Sequence, residues 1–212
     1  MQPRGILLFT NQKQLTPCKR GVYLSRLSNS MVKRYYRFHN QKDANNFLIG
    51  KILLLKILEA WNKGLTIDDL KFSATRRPFF NENFDFNISH SEEIVVCAAV
   101  EDCRIGIDIE SIRDIQINEY KCVFSQDSWQ KITHSKDKVL AFYRYWTLFE
   151  SVLKADGAGL SKVRRLECLS HAKIRLDGFI WNTNKIDITP GYLCHMACSK
   201  PDVQIDVEEA IL

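Results

Sequence analysis

Strict alternation along residues 105–110, Ile-Gly-Ile-Asp-Ile-Glu, is the pattern that most constrains the fold of this chain. In a β-strand, side chains two residues apart share a face. The three isoleucines therefore point to one side, while Gly106, Asp108 and Glu110 point to the other. The sequence predicts a strand over residues 104–110 with one buried apolar face and one acidic face.

A second segment, residues 137–156, predicts a long helix that is rich in aromatic residues and is closed by Gly157. Its Glu150 and Lys154 stand four apart, so they lie almost above one another on the helix. Trp146 belongs to the same stripe and is of a type that is usually largely buried, which indicates that the stripe faces the protein. The strand and the helix can therefore aim three carboxylates and one ammonium group at a single point.

The carboxylates of Asp108, Glu110 and Glu150 form the kind of oxygen ligand set that Mg²⁺ prefers when it holds a phosphorylated substrate. Each part of the pattern also has a simpler explanation. A half-exposed strand shows the same alternation, and an exposed Glu–Lys pair four apart on a helix contributes only about 0.3–0.5 kcal/mol. The combination of the two segments is what favours a metal site.

The polar run Asn87-Ile88-Ser89-His90-Ser91 precedes an apolar strand that we expect at residues 94–100. Serine hydroxyls, backbone amides and an imidazole can all donate hydrogen bonds to phosphate oxygens. A capped turn that enters a strand is built from the same short polar residues. Taken alone, the run leaves both interpretations open.

The size and composition of the chain limit the kind of protein that could hold such a site. Its 212 residues, 45% of them hydrophobic, can form a hydrophobic core without disulfide bonds, a structural metal or a partner chain. The seven cysteines are an odd number and no signal peptide is evident, so we expect a reducing, cytoplasmic location. The most apolar stretch, residues 47–61, is interrupted by charges and falls short of the roughly 20 apolar residues of a membrane span. We therefore expect no membrane association.

The net charge of +5 conceals a division between the two parts of the chain. Residues 1–80 carry 15 Lys and Arg against 4 Asp and Glu, whereas residues 81–212 carry 15 against 21. The front part should attract an anion, and the back part should supply metal ligands, although a solvated basic surface is the plainer alternative. Nucleic acid is not expected as a partner, because no helix-turn-helix, zinc-finger or RNP pattern accompanies the basic residues.

Strands and helices alternate irregularly along the rest of the chain, which is typical of the α+β class. Further strands are expected at 5–10, 174–176, 179–181 and 192–198, and further helices at 24–39, 43–62 and 127–133. Residues 72–80 are interpreted as strand and loop, and a polar tail follows Pro201. In the strand at 192–198, Cys194 and Cys198 share one face, which favours a sulfur-containing core over a zinc site because four ligands at the usual spacing are not present.

Taken in order, the three polar segments are specific. Asn87-Ile88-Ser89-His90-Ser91, Gly106-Ile107-Asp108-Ile109-Glu110 and Trp146-Thr147-x-x-Glu150-Ser151-x-x-Lys154, followed by Gly157-x-Gly159-Leu160, resemble the Sfp-type 4'-phosphopantetheinyl transferases. The resemblance extends to Arg37-Phe38, Lys42-Asp43-Ala44 and Arg77-Pro78. It covers roughly residues 20–200, nearly the whole chain.

The resemblance implies an enzyme that moves the phosphopantetheine arm of coenzyme A onto a serine of an apo acyl or peptidyl carrier protein and releases 3',5'-ADP. It implies two similar α/β halves, residues 1–103 and residues 104–212, with coenzyme A and magnesium in the cleft between them. The first half would contact the phosphate and adenine of coenzyme A, and the second would carry the metal ligands. Such an enzyme is expected to be a monomer.

Residue by residue, the resemblance implies that Mg²⁺ is held against the pyrophosphate by three carboxylates: Asp108, Glu110 and Glu150. Lys154 would bind the same phosphates, and Glu150 is a candidate to accept the serine proton through the metal shell. Glu150 and Lys154 are therefore the expected catalytic residues. Ser89 and His90 would contact the nucleotide phosphates. The outer phosphate and the adenine would meet three arginines: Arg34, Arg37 and Arg77.

Three positions depart from the family pattern. Phe149 and Met31 stand where basic residues are usual, and Ser128 replaces a glutamate that some members may use as a base. Asp127, one position earlier, would be turned by about 100° on a helix. Two alternative functions therefore stay open: a non-catalytic descendant that binds coenzyme A or a carrier, and a metal-dependent phosphatase or nuclease.

Overall fold

Two main β-sheets, a two-stranded sheet and five α-helices, two of them long, make up the architecture of residues 4–212, which a computed structural model describes. The helices are α1 (Pro17–Leu24), α2 (Asn29–Tyr35), α3 (Gln41–Ala60), α4 (Gln126–Thr133) and α5 (Lys138–Asp156). The strands are β1 (Arg4–Asn11), β2 (Lys71–Phe72), β3 (Pro78–Phe79), β4 (Phe84–Ser91), β5 (Ile94–Glu101), β6 (Ile105–Ser111), β7 (Glu167–Ser170), β8 (Lys173–Leu176), β9 (Phe179–Ile186), β10 (Tyr192–Cys198) and β11 (Gln204–Glu209). Short 3₁₀ turns occupy Gln12–Gln14, Ile67–Asp69, Ile117–Tyr120 and Leu160–Arg165.

The two main sheets have different strand orders. The first runs β11-β1-β5-β4, with β1 antiparallel to β5 and parallel to β11. The second runs β6-β10-β9-β8-β7 and is antiparallel throughout. Helix α3 packs on the first sheet and α5 on the second, so the expected α+β class with two similar halves is confirmed. The exact division after residue 103 stays a prediction, and the last strand, β11, pairs within the first sheet.

Three apolar clusters fill the layers of this arrangement. One lies between α3 and the first sheet, one between α5 and the second sheet, and one between the two sheets. The last of these contains the isoleucines of β6, as the alternation predicted, and the sulfur-bearing face of β10: Cys194, Met196 and Cys198. The expectation of a sulfur-containing core is therefore confirmed. Among the described helices, none is both long and apolar enough to cross a membrane.

Helix α5 begins and ends where the sequence indicates. The side chain of Asp137 accepts a hydrogen bond from the amide of Leu140 at 2.9 Å and so caps the first turn. At the other end, Gly157 adopts a left-handed conformation with φ of 82°, and its amide donates to the carbonyl of Leu153 at 2.8 Å. A glycine tolerates this conformation without the penalty of a Cβ.

Two local predictions were wrong, and one alternative is excluded. The segment 24–39 does not form one helix, because α1 ends at Leu24 and α2 begins only after the N-cap Ser28. The run before β5, for which a capped turn was one of the two open interpretations, is the strand β4, which pairs along its whole length with β5. The tail after Pro201 contains β11, whose backbone finds its partners on the distant β1. A pairing between opposite ends of the chain leaves no local sequence signal.

Strands β4 and β6 are the edge strands of the two sheets, and a row of hydrogen bonds that we call the polar ladder joins them. In the polar ladder, alternate side chains of β4 accept hydrogen bonds from alternate backbone amides of β6. The pairs are Asp85 with Ile105 (2.9 Å), Asn87 with Ile107 (3.0 Å), Ser89 with Ile109 (3.4 Å) and Ser91 with Ser111 (3.0 Å). Side chains thus satisfy an edge whose buried amides would otherwise have no partner.

Helix α5 packs against the face of β6 that carries Gly106, Asp108 and Glu110, and its backbone comes close to the strand at Gly106. A Cβ atom at this position would lie 2.0 Å from the carbonyl oxygen of Ser151 and 2.4 Å from the amide nitrogen of Ala155. Both of these are backbone atoms, which cannot move aside as the end of a side chain can. The absence of a side chain at Gly106 therefore sets the distance between the helix and the strand that carry the acidic residues.

We predict that Gly106→Ala lowers the free energy of unfolding by about 3 kcal/mol or more, because the added methyl group forces β6 and α5 apart. Denaturant unfolding followed by circular dichroism measures this change. Gly21→Ala is the matched control, since a Cβ at Gly21 in α1 meets no atom within 4 Å and alanine is favoured over glycine in a helix. Equal stabilities for the two variants would contradict the prediction.

Candidate functional site

A cavity of about 290 Å³ lies where β4, β6 and α5 meet. It is lined by Ile88, Ser89, His90, Asp108, Glu110, Trp146, Glu150 and Lys154. Six of the nine residues predicted for the site thus reach one cavity. The predicted meeting of an acidic strand face with a helix stripe is confirmed, while the chemical roles of the residues stay predictions.

The centre of the cavity is a closed triangle of hydrogen bonds. The ammonium group of Lys154 donates to Asp108 Oδ1 at 2.5 Å and to Ser89 Oγ at 2.9 Å. The hydroxyl of Ser89 in turn donates to Asp108 Oδ1 at 3.1 Å. Asp108 is 3% exposed, and its other oxygen, Oδ2, is buried without a hydrogen-bond partner among the described residues. A buried carboxylate oxygen of this kind calls for a cation or a donor.

Glu110 is held on the neighbouring position of the same strand face. The hydroxyl of Ser91 donates to Glu110 Oε2 at 2.7 Å, and Trp146 lines the same cavity as this carboxylate. Glu150 is half-buried on α5 and shares the cavity with them. The ladder serines therefore have two functions, because each accepts from a β6 amide and donates to a β6 carboxylate.

The pKa values of the three carboxylates are all raised by their surroundings. Desolvation raises the pKa of Asp108, Glu110 and Glu150, and repulsion between the carboxylates adds to this for Glu110 and Glu150. Lys154 opposes the rise in all three. Desolvation alone would lower the pKa of Lys154, but attraction to Asp108 and the two glutamates raises it. One ammonium group among three carboxylates leaves an excess of negative charge, which a divalent cation would relieve.

The carboxylate oxygens of the cavity are of the kind that Mg²⁺ binds, but in the metal-free structure they are not arranged around one point as metal ligands would be. Among the described residues, no three His, Cys, Asp or Glu side chains stand together at metal-binding spacing. Lys154 occupies one oxygen of Asp108, whereas Oδ2 of the same carboxylate is free of hydrogen bonds. Hard carboxylate oxygens are what Mg²⁺ takes, so Asp108, Glu110 and Glu150 are the residues able to hold it.

His90 stands on the rim between this cavity and a second one. Its Nδ1 lies 3.4 Å from the side-chain nitrogen of Asn46 on α3. Desolvation lowers the pKa of His90, and the positive charge of Lys154 lowers it further. The ring is therefore neutral near pH 7 and able to donate a hydrogen bond from one nitrogen.

The second cavity, of about 570 Å³, lies between α2, α3 and β4, and His90 and Ile88 line both cavities. Arg34 places its guanidinium 5.0 Å from the ring centroid of Phe47, and Lys51 places its ammonium 5.8 Å from the same centroid. Burial, together with the charge of Arg34, lowers the pKa of Lys51 to about 8. In the sequence, Lys51 is only one of the charges that interrupt the apolar stretch 47–61, because the face of α3 that borders a cavity is decided by packing.

Two of the predicted arginines have other surroundings. Arg77 makes a bidentate ion pair with Asp85, at 2.8 and 2.6 Å, and also donates to the carbonyls of Lys154 and Ile105, each at 2.9 Å. It therefore ties β4, β6 and α5 together, a use that the sequence analysis did not foresee. Arg37 is exposed just after α2 and does not line either of the two cavities.

The positions that depart from the family pattern lie outside the acidic cavity. Ser128 is buried at the start of α4, where its amide and its hydroxyl both contact Ser125. Asp127 forms a surface ion pair with Lys131 at 2.7 Å. Phe149 is 1% exposed and packs against Phe124 in an aromatic cluster. None of the three lines the cavity that contains Glu150.

We predict that Lys154→Met destabilises the protein by about 3 kcal/mol, because it leaves the Asp108 carboxylate buried without its counter-charge. Adding Asp108→Asn to this variant should restore most of the loss, so that a double-mutant cycle from denaturant unfolding gives a large coupling energy. Lys131→Met removes an exposed ion pair and should change stability little. Additive effects of the two site substitutions would contradict the pairing.

Comparisons with known proteins place most of the chain in one family. Residues 16–102 match the family model of the 4'-phosphopantetheinyl transferase N-terminal domain, and residues 104–195 match that of the 4'-phosphopantetheinyl transferase superfamily. The two matches do not overlap and together span most of the chain.

Among similar proteins, 4'-phosphopantetheinyl transferase Sfp of Bacillus subtilis (strain 168) is 28% identical over 202 residues, which are 87% of this chain and 88% of Sfp. 4'-Phosphopantetheinyl transferase gsp of Aneurinibacillus migulanus is 32% identical over 142 residues, 64% of this chain and 58% of gsp. 4'-Phosphopantetheinyl transferase ffp of Bacillus subtilis is 28% identical, with 81% of each chain covered. The chain belongs to the Sfp-type 4'-phosphopantetheinyl transferase family.

Proposed function

We propose that this protein transfers the 4'-phosphopantetheine arm of coenzyme A to a serine of an apo carrier protein, with Mg²⁺ as cofactor and 3',5'-ADP as the second product. The observation that carries the proposal is the convergence of Asp108, Glu110, Glu150 and Lys154 in one cavity at the junction of the two sheets. Displacement at phosphorus asks a protein mainly to neutralise charge and to position the nucleophile. This cavity offers the groups for both tasks.

Charge neutralisation falls to Lys154 and to the ion that the carboxylates would hold. When bound by Asp108, Glu110 and Glu150, Mg²⁺ would offset the charge that develops on the pyrophosphate oxygens. Lys154 would then exchange its contact with Asp108 for one with phosphate. Ser89 has its only hydroxyl hydrogen directed at Asp108, so we assign it to positioning Asp108 and Lys154 rather than to binding phosphate.

Glu150 is the residue that we propose accepts the proton of the attacking serine. In the metal-free protein, burial and the neighbouring carboxylates raise the pKa of Glu150, so this carboxylate is more basic than an exposed glutamate. Glu110 already accepts a hydrogen bond from Ser91, which leaves Glu150 as the freer acceptor. Ser128 and Asp127 line neither this cavity nor the second one.

The second cavity would hold the nucleotide end of coenzyme A. Arg34 and Lys51 face it with two positive charges, Phe47 offers an aromatic surface, and His90 connects it with the acidic cavity. Charge-assisted hydrogen bonds to phosphate are among the strongest polar contacts. We therefore replace Arg77 by Lys51 in the proposed anion site. We further propose that the protein is a monomer and is located in the cytoplasm. Its seven free thiols are in keeping with a reducing compartment.

The proposed transfer predicts a specific product. With coenzyme A, Mg²⁺ and an apo carrier protein, mass spectrometry should find the carrier heavier by one phosphopantetheine arm, and chromatography should find 3',5'-ADP. Chelation of Mg²⁺ should stop the reaction. Asp108→Asn should slow it by about 10²-fold to 10³-fold, the usual loss when an electrostatic group of an active site is removed.

Asp114→Asn serves as the matched control for this experiment, because Asp114 is an exposed carboxylate that follows β6 and lies outside the acidic cavity. It should keep the activity of the unaltered protein. Release of free phosphate from coenzyme A, with the carrier unmodified, would point instead to a phosphatase. Full activity in Asp108→Asn would remove the basis of the proposed metal site.

Lys51 gives the proposed nucleotide site a test of its own. Lys51→Met should raise the KM for coenzyme A by about tenfold, the effect of one charged hydrogen bond, with little change in kcat. Because the pKa of Lys51 lies near 8, its charge is present below this pH and is lost above it. KM of the unaltered protein should therefore rise between pH 7 and pH 9, and Lys51→Arg should suppress the rise.

Lys56→Met is the control for this series, since Lys56 lies five residues further along α3, on a different face of the helix, and does not line the second cavity. The buried thiol of Cys97 and the charges of Arg34, Asp43 and His90 surround the same region. Because arginine stays charged over this pH range, any pH dependence of the KM that remains in Lys51→Arg comes from these neighbouring groups and not from residue 51. An unchanged KM in Lys51→Met would exclude Lys51 from the nucleotide site.

A further inference from the structure

The last turn of α5, which carries Lys154, ends in carbonyl groups that the helix itself leaves without donors. The two amides that follow the helix both donate to the carbonyl of Leu153, and no backbone amide of the described residues donates to the three carbonyls after it. Two arginines take the place of these amides. Arg77 Nε donates to the carbonyl of Lys154 at 2.9 Å, and Arg104 donates to the next two carbonyls at 2.7 and 3.3 Å. Positive charge at this end of a helix also opposes the helix dipole.

The guanidinium of Arg77 also holds the strand that carries Asp108. Its terminal nitrogens pair with the two oxygens of Asp85 at 2.8 and 2.6 Å, and one of them donates to the carbonyl of Ile105 at 2.9 Å. Asp85 in turn accepts a hydrogen bond from the amide of Ile105, which is the first pair of the polar ladder. One side chain therefore fixes the beginning of β6 and the end of α5 relative to each other.

Arg77 is itself held in place and has little left to offer a ligand. Four of the five N–H donors of its guanidinium are used in the contacts with α5, β4 and β6. Its amide donates to Ser73 Oγ at 3.0 Å, and its carbonyl accepts from the amide of Ser73 at 2.9 Å, across the turn between β2 and β3. Its side chain is 10% exposed and lines neither the acidic cavity nor the second one. Arg77 therefore acts on the acidic cavity through the backbone that it holds.

We propose that Arg77 is a positioning residue for Lys154. By holding the carbonyl of Lys154 and the start of β6 at once, Arg77 sets the place of the Lys154 ammonium, which lies 2.5 Å from Asp108 Oδ1. This role differs from the expectation that Arg77 binds the outer phosphate of the ligand. The effect of Arg77 on the reaction rate rests on the proposed function, whereas its effect on the Lys154–Asp108 pair does not.

The shape of the guanidinium is what this role requires. Arginine offers its donors in a rigid planar fork, whereas the ammonium of lysine is a point charge on a flexible stem. Arg77→Lys keeps a positive charge beside Asp85, so the buried carboxylate is not left without a counter-charge. A single ammonium group cannot also span the carbonyls of Lys154 and Ile105. The substitution therefore removes the positioning contacts and keeps the charge.

The first test uses the protein without coenzyme A or a carrier. The unfolding double-mutant cycle of Asp108→Asn and Lys154→Met is repeated with Arg77→Lys present in every member. The coupling between the two site residues should fall by about half or more, because Lys154 is no longer held against Asp108. A contribution of Arg77 to overall stability alone cancels in the cycle and leaves the coupling unchanged. Arg175→Lys, which alters an exposed ion pair with Glu167 at 2.8 Å, is the matched control and should not change the coupling.

The second test is the rate of transfer to a carrier. Arg77→Lys should lower kcat by about 10-fold to 10²-fold, which is the cost of displacing a group that acts on the reacting atoms. In the Lys154→Met background the same substitution should lower kcat by less than about 2-fold, since the group that it positions is already absent. An arginine that contacts the ligand, or one that only stabilises the fold, would lower the rate by the same factor in both backgrounds.

A second variant, Arg77→Met combined with Asp85→Asn, removes both buried charges and keeps an acceptor for the amide of Ile105. It should give the same pattern in both tests. Equal factors in the two backgrounds, or an unchanged coupling between Lys154 and Asp108, would overturn the positioning role of Arg77. If the unaltered protein modifies no carrier, the proposed function fails, and the unfolding cycle still decides whether Arg77 positions Lys154.

Discussion

The polar ladder between β4 and β6 is the interaction on which the rest of the structure depends. Two sheets meet at their edge strands, and side chains of one strand take the place of the backbone carbonyls that a continuous sheet would supply. Each buried amide left without its acceptor would cost about 1–3 kcal/mol. The ladder also fixes register, because Ser89 must stand opposite Ile109 and Ser91 opposite Ser111.

The acidic site is a direct consequence of that register. The hydroxyls of Ser89 and Ser91 have one hydrogen each, and both hydrogens go to carboxylates of β6, Asp108 and Glu110. The contacts that hold the sheets together thus also orient the proposed metal ligands. On the face of β6 that carries these carboxylates, the close approach at Gly106 brings the backbone of α5, and with it Lys154, next to them. The geometry of the site and the stability of the fold therefore depend on the same hydrogen bonds.

The sequence predicted the parts of this arrangement that local periodicity controls. Alternation in residues 105–110 was sufficient for the two faces of β6, and four-residue spacing was sufficient for the stripe of α5. The partners of Arg77 could not be predicted, because Asp85 becomes its neighbour only through the pairing of β4 with β6. Lys51 was missed for a similar reason: which face of α3 meets a cavity depends on packing against β4 and α2. Residues whose neighbours come from other elements carried no signal of their own.

The uneven charge of the two parts of the chain acquires a physical meaning in the structure. The acidic cavity holds three carboxylates and one ammonium group, and the cavity beside it holds Arg34 and Lys51. A ligand with separated phosphates can lie across both only if a cation accompanies it into the acidic cavity, since phosphate and carboxylates repel one another. In the free protein Lys154 supplies part of this positive charge to Asp108. In the proposed complex, a move of Lys154 from Asp108 towards phosphate as a divalent ion is bound would leave both the Asp108 carboxylate and the phosphate next to a positive charge.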